Sequence, residues 1–323
     1  MTRIRWGVLG TSRIAEQQVI PAIKNAKNAE VVAVGSRSLE TARRFAVRND
    51  IANALGSYEE LVASPDIDAV YIPLPNHLHA EWTIKAAEQG KHVLCEKPAA
   101  LNAAQMRQVV SACDAHGVQF MEAFMYQFHP QWRRTLEIVE SGELGELRLL
   151  QSAFTFVLSN PDDVRMISEM GGGSLYDVGC YCVHAMRTLT GNEALQEVSA
   201  TAHFAKDGRV DKSLAAVLKF HNGVIGHFDS SFEAYSRQYF QVVGSEGTVT
   251  LPYPFRPDKG EPRLHIETLT GSRVETLPQG DLYVAEIEHF GDCINSGVTP
   301  YNRPEDSVWN MEFLDAVYKA AGR

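Results

Sequence analysis

The stretch Ile4-Arg5-Trp6-Gly7-Val8-Leu9-Gly10-Thr11-Ser12-Arg13-Ile14-Ala15 decides the fold. A short apolar run that ends on Gly10 reads as a strand turning tightly into a helix. A dinucleotide-binding fold places Gly-x-Gly-x-x-Gly/Ala at such a junction. The first glycine makes the turn, a small middle residue lets the backbone approach a pyrophosphate, and the last small residue lets the helix pack on the strand. Gly10 and Ala15 meet this pattern, and Ser12 replaces the middle glycine with a residue that adds a hydroxyl. Gly10, Thr11, Ser12, Arg13 and Ile14 are therefore candidate cofactor contacts, with the phosphates resting on the positive end of the following helix. A strand-to-helix turn without a ligand is the competing reading, and the position on the first strand disfavours it.

Working outward, the pattern repeats. Apolar runs at Glu30–Val34, Ala69–Ile72, His92–Cys95 and Val118–Met121 alternate with helical stretches at 39–49, from Ser57, at 78–89 and at 102–116. Ser57-Tyr58-Glu59-Glu60 has the spacing of a capping box, and Asn102 is a helix cap. Such alternation predicts a doubly wound parallel sheet with helices on both faces. After about Glu122 the pattern changes to long alternating strands at Glu146–Phe156, Val198–Phe204, Lys212–Phe220, Val224–Phe232, Tyr239–Val243 and Thr248–Leu251. That is an α+β domain with a mostly antiparallel sheet, so the expected domains are 1–123 and 124–323. A helix over 304–320 closes the chain and is expected to pack back on the first domain.

The type of dinucleotide is read after the second strand. A carboxylate about 20 residues past the glycines would bond a ribose 2′-hydroxyl. Here Gly35-Ser36-Arg37-Ser38 stands instead, with no acid before Glu40. Arg37 can pair with a 2′-phosphate and Ser36 and Ser38 can donate to it, which favours NADP and leaves NAD as the alternative.

Composition narrows the function classes. In 323 residues, 45% hydrophobic and 22% charged residues describe an ordinary globular chain long enough for two domains. Forty acidic against 30 basic residues give a formal charge of −10, the wrong sign for nucleic acid or an anionic membrane. No apolar run approaches the ~18 residues of a membrane span. The N-terminus has no signal-peptide core. Five scattered cysteines argue for a reducing compartment, so a cytoplasmic protein is expected.

Two further segments carry chemistry. Cys95-Glu96-Lys97-Pro98 ends a parallel strand, the edge at which open α/β sheets bind ligands, and Pro98 restricts the direction of the lysine. A cis Lys97–Pro98 bond is expected there. Gly171-Gly172-Gly173-Ser174-Leu175-Tyr176-Asp177-Val178-Gly179-Cys180-Tyr181 opens a helix that puts Asp177 and Tyr181 on one face, with glycines allowing close backbone approach at its start. Taken singly, Lys97 reads as a solvated side chain, Asp177 as a first-turn charge and Tyr181 as a core aromatic.

Taken together, with Pro73-Leu74-Pro75-Asn76-His77-Leu78-His79 between them, these motifs make the chain resemble the glucose–fructose oxidoreductase/inositol dehydrogenase (Gfo/Idh/MocA) family over essentially its whole length. Tyr181, where many members have His, and the segment Glu122–Pro130 resemble the branch of dimeric dihydrodiol and NADP-dependent D-xylose dehydrogenases. Gln127 departs from the arginine common in that branch. The resemblance implies a Rossmann domain, then an α/β domain whose open sheet forms a homodimer or homotetramer interface. It also implies that Pro73, Leu74, Asn76, His79 and Glu96 belong to the cofactor site, that Lys97 reaches cofactor and substrate, and that Asp177 and Tyr181 face the substrate. The implied reaction is hydride transfer between NADP and a CH–OH group of a sugar, polyol or cyclic diol, or the reverse reduction of a carbonyl. Tyr181 would exchange the proton, assisted by the Lys97 cation, with Asp177 orienting the substrate and Arg165 and Tyr126 as weaker substrate contacts. The rivals are a zinc enzyme using His77 and His79, for which no third ligand is evident and no metal is expected, a non-catalytic NADP-binding sensor or regulator, and an inositol or anhydro-ketose dehydrogenase of the same family.

Overall fold

A computed structural model describes residues 2–206 and 208–323. The chain divides into two compact units, one holding the residues up to Met125 together with Asp281–Val308, the other Tyr126–Gly280 together with Trp309–Arg323. The final helix, Pro304–Ala320, is shared between them, its first residues grouped with the first unit and the remainder with the second.

The first unit is built on six parallel strands: β1 (Ile4–Leu9), β2 (Ala29–Gly35), β3 (Asn53–Leu55), β4 (Ala69–Ile72), β5 (His92–Glu96) and β6 (Phe120–Ala123). Their order is β3-β2-β1-β4-β5-β6, so the winding reverses at β1, between β2 and β4. All four residues of β4 and five of six in β1 are buried, as expected of strands covered on both faces. This is the doubly wound Rossmann architecture, with its switch point at the carboxyl end of β1. The helix caps are the ones the sequence offers. Ser57 Oγ accepts from Glu60 N at 3.0 Å while Glu60 Oε2 reaches back to Gly56 N, and Asn102 caps the helix Ala103–Ala115 through Gln105 N.

One helix of this unit comes from far along the chain. Leu282–Ser296 starts at Asp281, whose side chain accepts from the amides of Tyr283 and Val284. Phe290 on that helix packs 5.9 Å from Trp6 of β1 between ring centres, and Asn28 Nδ2 donates to Glu288 O and Asp292 Oδ1. Buried apolar area on β1 selects this partner, a pairing over more than 250 residues that no local pattern encodes.

The second unit carries eight strands: β7 (Leu147–Thr155), β8 (Leu195–Phe204), β9 (Asp211–Phe220), β10 (Ile225–Ser231), β11 (Arg237–Gly244), β12 (Gly247–Leu251), β13 (Arg263–Thr268) and β14 (Gly271–Thr276). The order is β14-β13-β12-β11-β7-β10-β9-β8, antiparallel throughout except for the β7–β10 pair. The α+β reading with an open, mostly antiparallel sheet therefore holds. Strand β9 alternates cleanly, Leu214, Ala216, Leu218 and Phe220 buried and Ala215 and Val217 exposed. The helix Cys180–Leu189 covers the buried face, and Gly226 of β10 makes room for Met186, whose sulfur lies 2.8 Å from where a Cβ would stand. In the same unit Phe313 of the last helix meets Phe220.

Among the described residues no helix is long and apolar enough to cross a membrane. Trp6 is fully buried. Trp6→Ala is expected to lower stability by about 3–5 kcal/mol in denaturant titrations and to speed amide exchange in Leu282–Ser296 before the rest of the first unit. Unchanged exchange in that helix would show that Trp6 does not hold it.

Candidate functional site

In the first unit the sequence-predicted cofactor residues gather at the carboxyl ends of β1, β2, β4 and β5. Gly10 has φ +94°, and its amide donates to Gly35 O at 2.7 Å, tying the ends of β1 and β2 together. A Cβ here would lie 3.0 Å from Leu74, so the turn demands glycine on both conformation and space. Ser12 Oγ accepts from Ala15 N at 3.3 Å, helping to start a π-helical turn, Ala15–Val19, that leads into the helix Ile20–Asn25. Thr11, Ser12 and Ile14 are half-buried and Arg13 is exposed. Strand reversal at β1, a glycine-tight turn and helix amides beyond it fit a dinucleotide pyrophosphate.

Past β2, Ser36 is buried, Arg37 is exposed, and Ser38 Oγ accepts from Thr41 N as a helix cap while keeping its proton to donate. Sequence reasoning missed Tyr58. Its hydroxyl lies 3.7 Å from the position of a Gly10 Cβ, and its ring is held edge-on by Trp82 at 5.0 Å. Burial raises the phenol pKa and the Arg37 charge opposes that rise. Only its place in the capping box marked the residue, and that signal speaks of helix initiation alone.

Lys97 sits in a segment gripped from several sides. The Lys97–Pro98 peptide is cis, as expected. Tyr71 Oη donates to Glu96 Oε1 at 2.6 Å, and Ala99 N donates to Glu122 Oε1 at 2.9 Å. His79, fully buried, sets one ring nitrogen 2.8 Å from Pro98 O and the other 2.7 Å from Leu74 O. It bridges the loops that follow β4 and β5. Burial holds its pKa down at about 4, against the two carbonyls that pull it up, so the neutral ring donates to one carbonyl at a time. Pro73 and Leu74 are buried and Asn76 is half-buried in the loop that His79 anchors. His79 thus acts behind the loop, and both of its nitrogens face carbonyl oxygens. Among the described residues no three His, Cys, Asp or Glu side chains converge as metal ligands.

The second unit brings Asp177, Arg165, Tyr181 and Tyr126 onto one helix and its surroundings. The helix begins with a π-helical turn, Leu175–Gly179, and continues as Cys180–Leu189. Arg165 Nε donates to Asp177 Oδ2 at 2.7 Å and Nη1 to Asp163 Oδ1 at 3.2 Å, and both acids raise the arginine pKa, Asp177 foremost. The close approach that the glycines permit is to protein. Gly173 N donates to Arg165 O at 3.0 Å, a Cβ on Gly172 would lie 2.5 Å from that same oxygen, and one on Gly173 would lie 2.1 Å from Asp211 Oδ1. Asp211, fully buried, accepts from Leu175 N, Ser174 Oγ and Tyr318 Oη at 2.7–2.8 Å and so fixes the first turn. Tyr181 is 5% exposed within an aromatic nest of Tyr126, Phe154 and Phe255, with ring centres 5.4–6.0 Å away. Tyr126 is fully buried, and its hydroxyl lies 2.7 Å from His184 Nδ1.

With this geometry in hand, comparison with known proteins is direct. Residues 4–124 match the model of the oxidoreductase family with an NAD-binding Rossmann fold, and residues 132–250 match the GFO/IDH/MocA C-terminal domain. The chain belongs to the GFO/IDH/MocA family of oxidoreductases. It is 40% identical over 319 residues to a D-xylose 1-dehydrogenase (NADP(+)) of Haloferax volcanii, covering 98% of this chain and 97% of that one. It is 32% identical to the trans-1,2-dihydrobenzene-1,2-diol dehydrogenase of Xenopus laevis, over 98% of each chain. The solved structure of KijD10, a 3-ketoreductase from Actinomadura kijaniata in complex with NADP and TDP-benzene, superposes with a TM-score of 0.92 at 32% identity, over 99% of this chain and 98% of that one.

Gly173 has φ +134° and no room for a side chain. Gly173→Ala should cost about 3 kcal/mol of stability by thermal or chemical denaturation. A loss below about 1 kcal/mol would mean that the first turn is not clasped this tightly.

Proposed function

We propose that this family member transfers a hydride between NADP and the CH–OH carbon of a sugar, polyol or cyclic diol, or in reverse to the corresponding carbonyl. The observation that carries the reading is the placement of Lys97 at the carboxyl end of β5, in a backbone segment held by the bonds of Glu96, Pro98 and Ala99. Ligands of doubly wound sheets bind at that edge, and a cation there suits an oxygen that gains negative charge as its proton leaves. The named relatives act on a sugar, a diol and a ketone, which supports the same substrate class here.

In this reading the first unit holds the cofactor through Gly10, Thr11, Ser12, Arg13, Ile14, Ser36, Arg37, Ser38, Pro73, Leu74, Asn76 and Glu96, with His79 anchoring the Leu74 loop. NADP, when bound, supplies the carbon that accepts or returns the hydride. The second unit supplies the substrate side. Tyr181 is assigned the exchange of the hydroxyl proton, and Lys97 the stabilisation of the negative charge that develops on the reacting oxygen as the proton leaves. Asp177 accepts from a neighbouring substrate hydroxyl, aimed by Arg165. Tyr126 backs the Tyr181 ring. Self-association as a homodimer or homotetramer is assigned to the exposed face of the eight-stranded sheet, where Leu149, Val217 and Ile225 lie 37–48% exposed. Five buried cysteine thiols fit a reducing, cytoplasmic setting.

Steady-state kinetics with a panel of aldoses, polyols and trans-diols tests the reading. Tyr181→Phe and Lys97→Met should each lower kcat by about 100-fold or more, and normal turnover in either removes that residue's role. Arg37→Ala should lower the NADP-to-NAD ratio of kcat/KM by roughly 10- to 100-fold, the worth of a charge-assisted bond to phosphate. An unaltered ratio would place the 2′-phosphate elsewhere.

A further inference from the structure

The buried Asp211 carboxylate, which pins the start of the helix bearing Asp177 and Tyr181, receives a cation from the last helix. That helix closes with Tyr318-Lys319-Ala320-Ala321-Gly322-Arg323. Gly322 takes φ +90°, its amide donates to Lys319 O at 3.2 Å, and the Arg323 amide donates to Tyr318 O at 3.0 Å. This pair of bonds is a Schellman closure, which folds the residue after the left-handed glycine back onto the last turn of its helix. The side chain folded back is a guanidinium, and what it meets is a phenol ring. Arg323 Cζ lies 4.2 Å from the centre of the Tyr318 ring and 5.5 Å from that of Tyr176, near enough for cation–π attraction to both. The same turn sets Arg323 Nη1 3.9 Å from Asp211 Oδ1, the oxygen that accepts from Tyr318 Oη at 2.7 Å.

The other oxygen of Asp211 accepts from Leu175 N and Ser174 Oγ, and Ser174 in turn meets Ser230 of β10 at 2.9 Å. A backbone N–H can only donate, so the Leu175 bond is strongest while Asp211 is ionised. An ionised carboxylate shut away from water is costly unless a cation offsets it. Arg323, its side chain 25% exposed, supplies that charge from a largely dry position. We propose that Arg323 is a positioning residue: its turn-locked charge keeps Asp211 ionised, and the ionised Asp211 holds the first turn of the helix bearing Asp177 and Tyr181. The kinetic consequence rests on the hydride transfer set out above, and the structural one does not. The titratable and charged groups gathered at Asp211 are Tyr318 and Arg323 from the last helix and its closing turn, with Tyr176 and Asp315 beside them. Burial pushes the Asp211 carboxyl up, and the donors Tyr318, Leu175 and Ser174 hold it back. Loss of the cation moves it up further, so the Leu175 bond weakens at a higher pH.

Hydrogen–deuterium exchange and steady-state kinetics on the full-length protein test this. At neutral pH Arg323→Met should speed exchange in the segment 171–179 by roughly 10-fold, the worth of one bond to a charged group, and leave the helix Pro130–Glu140 of the same unit unchanged. In the same variant the acid limb of kcat should move up by about one pH unit. Arg323→Lys keeps the cation and should keep both wild-type values. Gly322→Val keeps the guanidinium but denies the turn its left-handed residue, and should reproduce the methionine variant. Wild-type exchange in 171–179 or a wild-type limb in either Arg323→Met or Gly322→Val overturns the proposal. So does faster exchange spread evenly over the second unit, or a lysine variant that behaves like methionine. If the wild type oxidises no sugar, polyol or diol, the reading of the reaction fails, and exchange in 171–179 alone decides the role of Arg323.

Discussion

The rest of the first unit's site depends on the hydrogen bonds that seize the four residues after Cys95. Tyr71 holds the Glu96 side chain, His79 touches the Pro98 carbonyl, and Glu122 accepts from the Ala99 amide. These partners belong to β4, to the helix after it and to β6, so the position of Lys97 is set by the whole sheet. His79 also reaches Leu74 O, which links the loops after β4 and β5. In a dry interior such bonds are strong when made and costly when broken, and they turn a flexible amine's attachment point into a fixed one.

The second unit solves the same problem with glycine. Gly172 and Gly173 let the backbone of Arg165 and the carboxylate of Asp211 come closer than any side chain would allow. Arg165 is thereby delivered to Asp177, and the first turn of the helix is pinned by Asp211 before Tyr181 is reached. Both functional helices start in π-helical turns, Ala15–Val19 and Leu175–Gly179. Wide turns of this kind cost hydrogen-bond geometry and persist where surrounding contacts hold them. Here those contacts are Ser12 at the first turn and Asp211 at the second.

Charge is arranged to keep few unpaired ions near the chemistry. Arg165 lies between Asp163 and Asp177. The Arg37 charge opposes the rise that burial gives the Tyr58 phenol pKa. Pre-aimed groups lose less side-chain freedom on binding than mobile ones.

Local order is what the sequence by itself determined. The apolar runs at Ile4, Ala69 and His92, the caps at Ser57 and Asn102, and the alternation of β9 follow from propensities and periods that act within ten residues, so strands, helices, the winding and the motifs of the site were legible. Helix Leu282–Ser296, strands β13 and β14 and the residues Tyr58 and Asp211 were not. Their roles come from partners 20 to almost 300 positions away: Tyr58 with Arg37, Asp211 with Leu175 and Tyr318, Phe290 with Trp6. The glycines of 171–173 were read correctly as a place of close approach, but what approaches is Arg165 and Asp211, a choice made by packing alone. Period and composition fix which face of an element is apolar. Which other element covers that face, and which buried polar atom completes which hydrogen bond, is settled by shape and desolvation after the chain has folded.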